Sequence, residues 1–321
     1  MAVSTAIAQK WMPDTLGDGY QMRYVNQPDD YSGKVRCTII RKLSPCGGDK
    51  GVLYVHGYND YFFQKEMGDR FVDSCYNFYA VDLRKYGRSI MPGQTKFQVR
   101  DMKEYFADID SAVMQMKRDG IDNIVLMGHS TGGLTTALYM NDNPDKDIKA
   151  LILNSPFLDW NQSTFQEKFL IPTVDCIGKL MPNIKISQGG GGEYGGSLLK
   201  QYGGEWEYNT DWKLLHSPDV DTGWIRAIDL AQGVLQNDPH IKVPILLMHS
   251  DRSVKSGDSK DVYSRADGVL DVYDISRYGK RLGPIVTEIT VKGGLHDLVL
   301  SAPKVRSALY EYIFEWLDKN D

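Results

Sequence analysis

The sequence predicts an α/β fold, a mostly parallel central sheet with helices on both faces and one inserted segment. Three observations carry this. Short apolar runs alternate with longer amphipathic ones along the chain. Several short runs are nearly continuous in Val, Ile and Leu, as in strands covered on both faces. The alternation breaks once, from about 157 to 240, where glycines and aromatics replace the regular pattern. The 321 residues therefore read as a single domain with an insertion that folds over the sheet.

Each element follows from local pattern. The expected strands are "VRCTIIRK" (35–42), "GVLYVHG" (51–57), "YNFYAVD" (76–82), "NIVLMG" (123–128), "KALILNS" (149–155), "VPILLMHS" (243–250) and "VTEITV" (286–291). In 99–119, Met102, Phe106, Ile109, Val113 and Met116 recur at helical spacing, and Val305, Leu309, Ile313 and Trp316 do the same near the C-terminus. Both stripes are core faces. The insertion contains "SQGGGGEYGGSLLKQYGGEW", whose glycines could suggest a phosphate cradle. No G-K-[ST] follows and no strand leads into it, so a mobile loop is the reading.

Bulk composition excludes several function classes. Hydrophobic residues make up 42% and charged residues 25%, near the values of globular proteins. The net charge of −5 gives no reason to expect nucleic acid or an anionic membrane as a partner. No apolar run approaches the roughly 18 residues of a spanning helix. The opening "MAVSTAIAQKW" has neither a charged n-region nor an adequate apolar core, so it reads as a flexible terminus, with the stub of a lost signal peptide as the alternative. Cys37, Cys46, Cys75 and Cys176 show no C-x-x-C or metal-ligand spacing and read as small buried hydrophobes, which favours a reducing, cytoplasmic location. Neither a cofactor nor a metal is expected, since no H-E-x-x-H or similar close ligand set occurs.

Chemistry concentrates at "NIVLMGHSTGGLTTALYM", where Ser130 stands in G-x-S-x-G between a strand and a helix. That context is a nucleophile elbow, a sharp turn that projects the hydroxyl from the sheet edge while flanking glycines let backbone approach. A serine that merely caps the helix is the plainer alternative. A nucleophilic serine needs a histidine base oriented by a carboxylate, in the chain order serine, acid, histidine. Of the six histidines only His296, in "VKGGLHDLVLSAP", follows the last strand and precedes the final helix. Asp251, closing "VPILLMHSD", is the favoured acid, with Asp271 and Asp274 as competitors. The oxyanion donors are assigned to the backbone N–H of Thr131, directly after the nucleophile, and that of Tyr58, after His56-Gly57. His56 itself is expected to shape the loop.

These residues carry a resemblance. "YVHGYND", "GHSTGG", "VDLRKYGRS", "PILLMHSDRSV" and "GGLHDLVL" resemble the motifs of the α/β-hydrolase superfamily, in the branch of monoacylglycerol lipases, lysophospholipases and serine aminopeptidases. Lys85 stands where that branch has a glycine, and the usual G-x-x-D before the acid is shortened. The resemblance implies a lid-capped, cofactor-independent serine hydrolase acting on small-molecule esters. An aminopeptidase or amidase is the alternative, with Glu193, Glu205 or Glu207 holding a substrate ammonium; a non-catalytic binding protein is a third. Trp160, Trp206, Trp212, Trp224, Tyr194, Tyr202 and Tyr208 in the insertion are expected to supply at least one contact to substrate, favouring small to medium apolar esters.

Overall fold

The structure, a computed structural model, describes residues 10–160, 177–187 and 192–320. The terminus before Lys10, Cys176, most of the first part of the insertion (161–176) and the glycines at 189–191 lie outside the described residues. One sheet of nine strands organises the chain. Its members are β1 (Met12–Pro13), β2 (Gln21–Asp30), β3 (Gly33–Lys42), β4 (Lys50–Val55), β5 (Asn77–Asp82), β6 (Asn123–His129), β7 (Ala150–Asn154), β10 (Ile245–Ser250) and β11 (Val286–Val291). The spatial order is β1-β2-β3-β5-β4-β6-β7-β10-β11. The first four pair antiparallel, and from β5 to β11 every pairing is parallel.

The seven expected strands all form, with ends shifted by a few residues at most. β1 and β2 were not expected. "QMRYVNQPDD" is too polar to read as a strand, and it becomes one by pairing along β3 at the sheet edge. Period-two alternation places Val52 and Tyr54 of β4 in one core and Leu53 and Val55 in the other. Helices α1 (Lys65–Asp73), α2 (Phe106–Arg118), α3 (Thr131–Asp142), α6 (Val272–Gly279) and α7 (Pro303–Asn320) accompany the sheet. The expected stripe 99–119 becomes a short 3-10 turn, Met102–Tyr105, running into α2, with Asp101 capping the turn. Between β7 and β10 lie a two-stranded ribbon, β8 (Lys185–Ile186) with β9 (Val220–Asp221), the short helix α4 (Glu193–Leu198) and the long helix α5 (Thr222–Asn237). Asp221 caps α5 through the Trp224 N–H, and α5 packs beside α3.

Cys46 and Cys75 form a disulfide, which corrects their reading as unpaired hydrophobes; Cys37 is free and buried. They are 29 residues apart, and the chain brings them together only when the turn after β3 meets the end of α1. Spacing rules see neighbours in sequence and miss such a pair.

The "DLRKYGRS" stretch after β5 is a buried ionic knot. Arg88 bonds Asp14 at 2.6 Å and Asp82 at 2.9 Å, and its Nη1 donates to the Phe62 carbonyl at 3.0 Å. Gly87 has φ +45°, and a Cβ there would lie 2.5 Å from both Asp82 and Tyr61. Lys85, the departure from the family pattern, has φ +66° and is fully buried. Its ammonium meets Asp30 at the end of β2 at 2.7 Å and the Tyr31 ring at 4.2 Å, so the unexpected strand supplies the partner for the unexpected lysine. Removing Arg88 strands two buried carboxylates. Arg88→Met is therefore expected to lower stability by about 3–5 kcal/mol, read as a shift of the urea midpoint; a change under 1 kcal/mol counts against the knot.

Candidate active site

Ser130 ends β6 and opens α3 with φ 54° and ψ −119°, a conformation few non-glycine residues adopt. The glycines around it are required by contact. A Cβ on Gly128 would lie 2.5 Å from the Gly132 carbonyl oxygen, and one on Gly132 would lie 2.3 Å from the carbonyl oxygens of Val55 and His56. The turn thus packs backbone on backbone, against both its own helix and the end of β4. It is pinned by the Ser130 N–H donating to Asn154 O at 3.0 Å and by the Ser130 carbonyl accepting from Leu134 and Phe157.

The loop after β11 brings His296 over the elbow. Ser250 Oγ donates to Gly294 O at 2.7 Å, and Ser301 Oγ accepts the Leu295 N–H at 2.9 Å. On the other side Asp297 accepts from Asn154 Nδ2 at 2.7 Å and Gln64 Nε2 at 3.1 Å. Gripped on both sides, His296 sits buried with Nε2 3.0 Å from Ser130 Oγ.

The carboxylate at its other nitrogen is Asp267, with Oδ2 2.9 Å from Nδ1. This corrects Asp251. Asp251 does close β10, but it is exposed and its carboxylate accepts the Gly293 N–H at 2.9 Å. The competitors are helix features: Asp271 caps α6 through the Tyr273 N–H, and Asp274 lies in its first turn. Asp267 is reached because the chain after β10 returns along itself. Ser253 and Asp267 form a parallel bridge, with the Asp267 N–H on Arg252 O at 2.9 Å and the Val254 N–H on Asp267 O at 2.7 Å. Its Oδ1 accepts the N–H groups of Val269 and Leu270, both at 2.8 Å, which leaves Oδ2 for the imidazole. The Asp-Gly pair in "SRADGVLD", a turn signal between β10 and α6, was the available clue. A carboxylate at Nδ1 selects the Nδ1–H tautomer and leaves Nε2 to accept the serine proton.

Thr131 is the first residue of α3, where backbone N–H groups have no partner within the helix. Gly57 lies so close to the elbow that a Cβ would stand 3.0 Å from Ser130 Cβ, which places the Tyr58 loop beside it. His56 shapes that loop: its Nδ1 meets Gly57 O at 2.8 Å, and its Nε2 accepts the Leu83 N–H at 3.1 Å. Burial holds its pKa below the usual histidine range, and does the same for His129.

Aromatics from between β7 and β10 pack near the site. Tyr194 sets its ring edge-on to His296 at 5.8 Å, and its hydroxyl oxygen accepts the Asp297 N–H at 3.0 Å. Trp212 meets Tyr61 at 5.2 Å, Tyr208 meets Phe63 at 5.1 Å, and Trp224 lies between Tyr58 and Trp160. Trp206 donates to Leu300 O at 2.9 Å, while Tyr202 is exposed. Glu205 pairs with Arg306 at 2.8 Å and Glu207 with Lys200 at 3.5 Å, both at the surface; the side chain of Glu193 lies outside the described residues. Among the described residues, one group has metal-ligand character: Asp60, His129 and Asp297 place ligand-type atoms within 4.8 Å of one another. Lys213 supplies a cation to Asp60 Oδ1 at 3.1 Å and both Asp297 oxygens are taken by amides, while Asp60 Oδ2 is buried without a hydrogen-bond partner.

Known proteins place this geometry in context. Mouse (Mus musculus) epoxide hydrolase 4 is 29% identical over 140 residues, which is 43% of this chain and only 36% of that protein. The monoglyceride lipase of Saccharomyces cerevisiae, solved with a substrate analogue, superposes with a TM-score of 0.68 at 16% identity, covering 100% of this chain and 99% of that one. The monoacylglycerol lipase of Paleococcus ferrophilus gives a TM-score of 0.63 at 18% identity over 88% of this chain and 98% of the other. At such identities the likeness is one of fold. Residues 49–274, from the start of β4 past Asp267, match the family described as serine aminopeptidase, S33. With its parallel sheet and its elbow in the expected places, the chain belongs to that family of α/β-hydrolases.

Proposed function

We propose that this protein hydrolyses carboxylic esters of small molecules through Ser130, His296 and Asp267. The observation that carries the proposal is the continuous line from Asp267 through His296 to Ser130, at 2.9 and 3.0 Å, in a buried site. Ser130 Oγ attacks the ester carbonyl while His296 Nε2 takes its proton and delivers it to the leaving alcohol. Water then repeats the cycle on the acyl-enzyme, and Asp267 stabilises the imidazolium. The N–H groups of Thr131 and Tyr58 hold the oxyanion. A serine at the elbow argues against epoxide opening, which in this fold uses a nucleophilic aspartate.

The segment 157–240 acts as a cap, supported by the contacts of Tyr194 with His296 and Asp297. The surface pairing of Glu205 and Glu207 leaves them poorly suited to hold a substrate ammonium, which favours esters over aminoacyl amides. No helix among the described residues is long and apolar enough to cross a membrane. The Cys46–Cys75 bridge supports an oxidising compartment in place of the cytoplasm expected from scattered cysteines.

Steady-state rates on butyrate, octanoate and palmitate esters, beside an alanyl amide, test the reading. The highest kcat/KM is expected on butyrate or octanoate, with the amide slower by at least tenfold. Preference for the amide overturns the ester assignment, and preference for palmitate overturns the small-substrate one.

A further inference from the structure

The loop after β4 is held on two sides, and the two grips differ. On the sheet side it is fastened at its ends: His56 Nε2 accepts the Leu83 N–H, Asp82 accepts the Phe62 N–H at 2.9 Å, and Arg88 donates to Phe62 O. The middle of the loop faces the cap. Asn59 makes a closed pair of bonds with the backbone of Leu214, donating from Nδ2 to its carbonyl at 2.8 Å and accepting its N–H on Oδ1 at 2.7 Å. Asp60 pairs with Lys213 at 3.1 Å, with both side chains buried. Tyr61 accepts the Asn209 N–H on its hydroxyl at 2.8 Å and meets the Trp212 ring edge-on at 5.2 Å. Three successive residues after Tyr58 are thus gripped by 209–214.

We infer that Asn59 is a positioning residue for the reaction, through which cap residues 209–214 fix the loop that presents the Tyr58 N–H to the oxyanion. The inference rests on the ester-hydrolase reading above. Its physical basis is the backbone at Asn59, which turns left-handed at φ +50° immediately after the donor residue. An isolated chain does not hold such a turn; asparagine tolerates it, and the two bonds to Leu214 select it. An oxyanion donor acts only when placed about 2.7–3.1 Å from the developing charge. A shift of roughly 1 Å in a reacting geometry costs about a hundredfold. A displacement of residues 209–214 alone would therefore leave the bond between Ser130 and His296 in place and the hole unformed, so that seating of this stretch and completion of the hole are one event.

Two substitutions isolate the bonds. Asn59→Gly accepts the left-handed turn but loses both contacts. Asn59→Asp keeps the acceptor for Leu214 N–H and sets an oxygen against Leu214 O. Each is expected to lower kcat by about 10–100-fold, with KM within threefold and a fluorophosphonate still reacting at Ser130. A trifluoromethyl ketone, whose hemiketal oxygen occupies the hole, should lose affinity in step with kcat/KM, while the plain methyl ketone should not. Lys213→Met should act in the same direction and Lys213→Arg should restore kcat. Glu205→Gln loosens the other end of the cap by removing the charge that meets Arg306, and should leave kcat within twofold. Unchanged kcat in Asn59→Gly, equal weakening of both ketones, or a matching loss in Glu205→Gln overturns the positioning role alone. Wild-type protein that neither turns over esters nor reacts with the phosphonate overturns the ester reading, and this inference with it.

Discussion

Ser130→Ala is expected to lower kcat by roughly a millionfold while leaving the protein folded. Groups that act as one unit lose nearly all of their joint effect when the nucleophile goes, and only oxyanion and binding contributions remain. Folding should survive because little of the elbow depends on the hydroxyl. The Ser130 N–H bond to Asn154 O, and the bonds that Leu134 and Phe157 donate to its carbonyl, are all backbone contacts. Alanine at φ 54° bears the same backbone strain as serine, and the bond of the Oγ to His296 is replaced by a methyl group in a small buried space. The measurement is turnover of a butyrate ester per mole of folded protein, paired with a thermal melt. Retention of a tenth of the wild-type rate by a folded variant would sink the nucleophile assignment.

What was legible in the sequence was what local pattern determines. Ser130 stands out because strand, glycines and helix are contiguous, and the structure shows each glycine answering a backbone contact. His296 stands out by position after the last strand. Apart from the edge strand β11, the parallel strands announce themselves by burial on both faces, whereas β2 is polar and owes its conformation to its neighbour. The carboxylate that meets His296 was not legible for the same reason as the disulfide and the partner of Lys85. All three depend on where distant segments meet. A strand-end rule selects the first aspartate after β10, yet the chain continues past it, pairs Ser253 with Asp267, and only there faces the imidazole. Asp251 turns instead toward Gly293 and solvent.

The acid assignment has its own test, and its outcome separates two aspartates on the same connection. Asp267→Asn is expected to reduce kcat by roughly ten-thousandfold in a folded protein. The asparagine oxygen can still accept the Val269 and Leu270 N–H groups, so the loop keeps its anchor. Its amide nitrogen then faces His296 Nδ1, and a donor there forces the proton onto Nε2. That tautomer presents an N–H to Ser130 where a base is needed, so the serine is left without a proton acceptor. Asp251→Asn removes a charge from an exposed side chain and keeps an oxygen for Gly293, so turnover should stay within about threefold, in line with a surface substitution. Asp271→Asn preserves the cap of α6, since asparagine caps as well as aspartate, and should be equally mild. The comparison requires only kcat for the three variants on one ester and phosphonate labelling at matched concentration. A large loss in Asp251→Asn with Asp267→Asn near wild type would mean that the carboxylate seen against His296 is structural, and that the working acid lies at the end of β10.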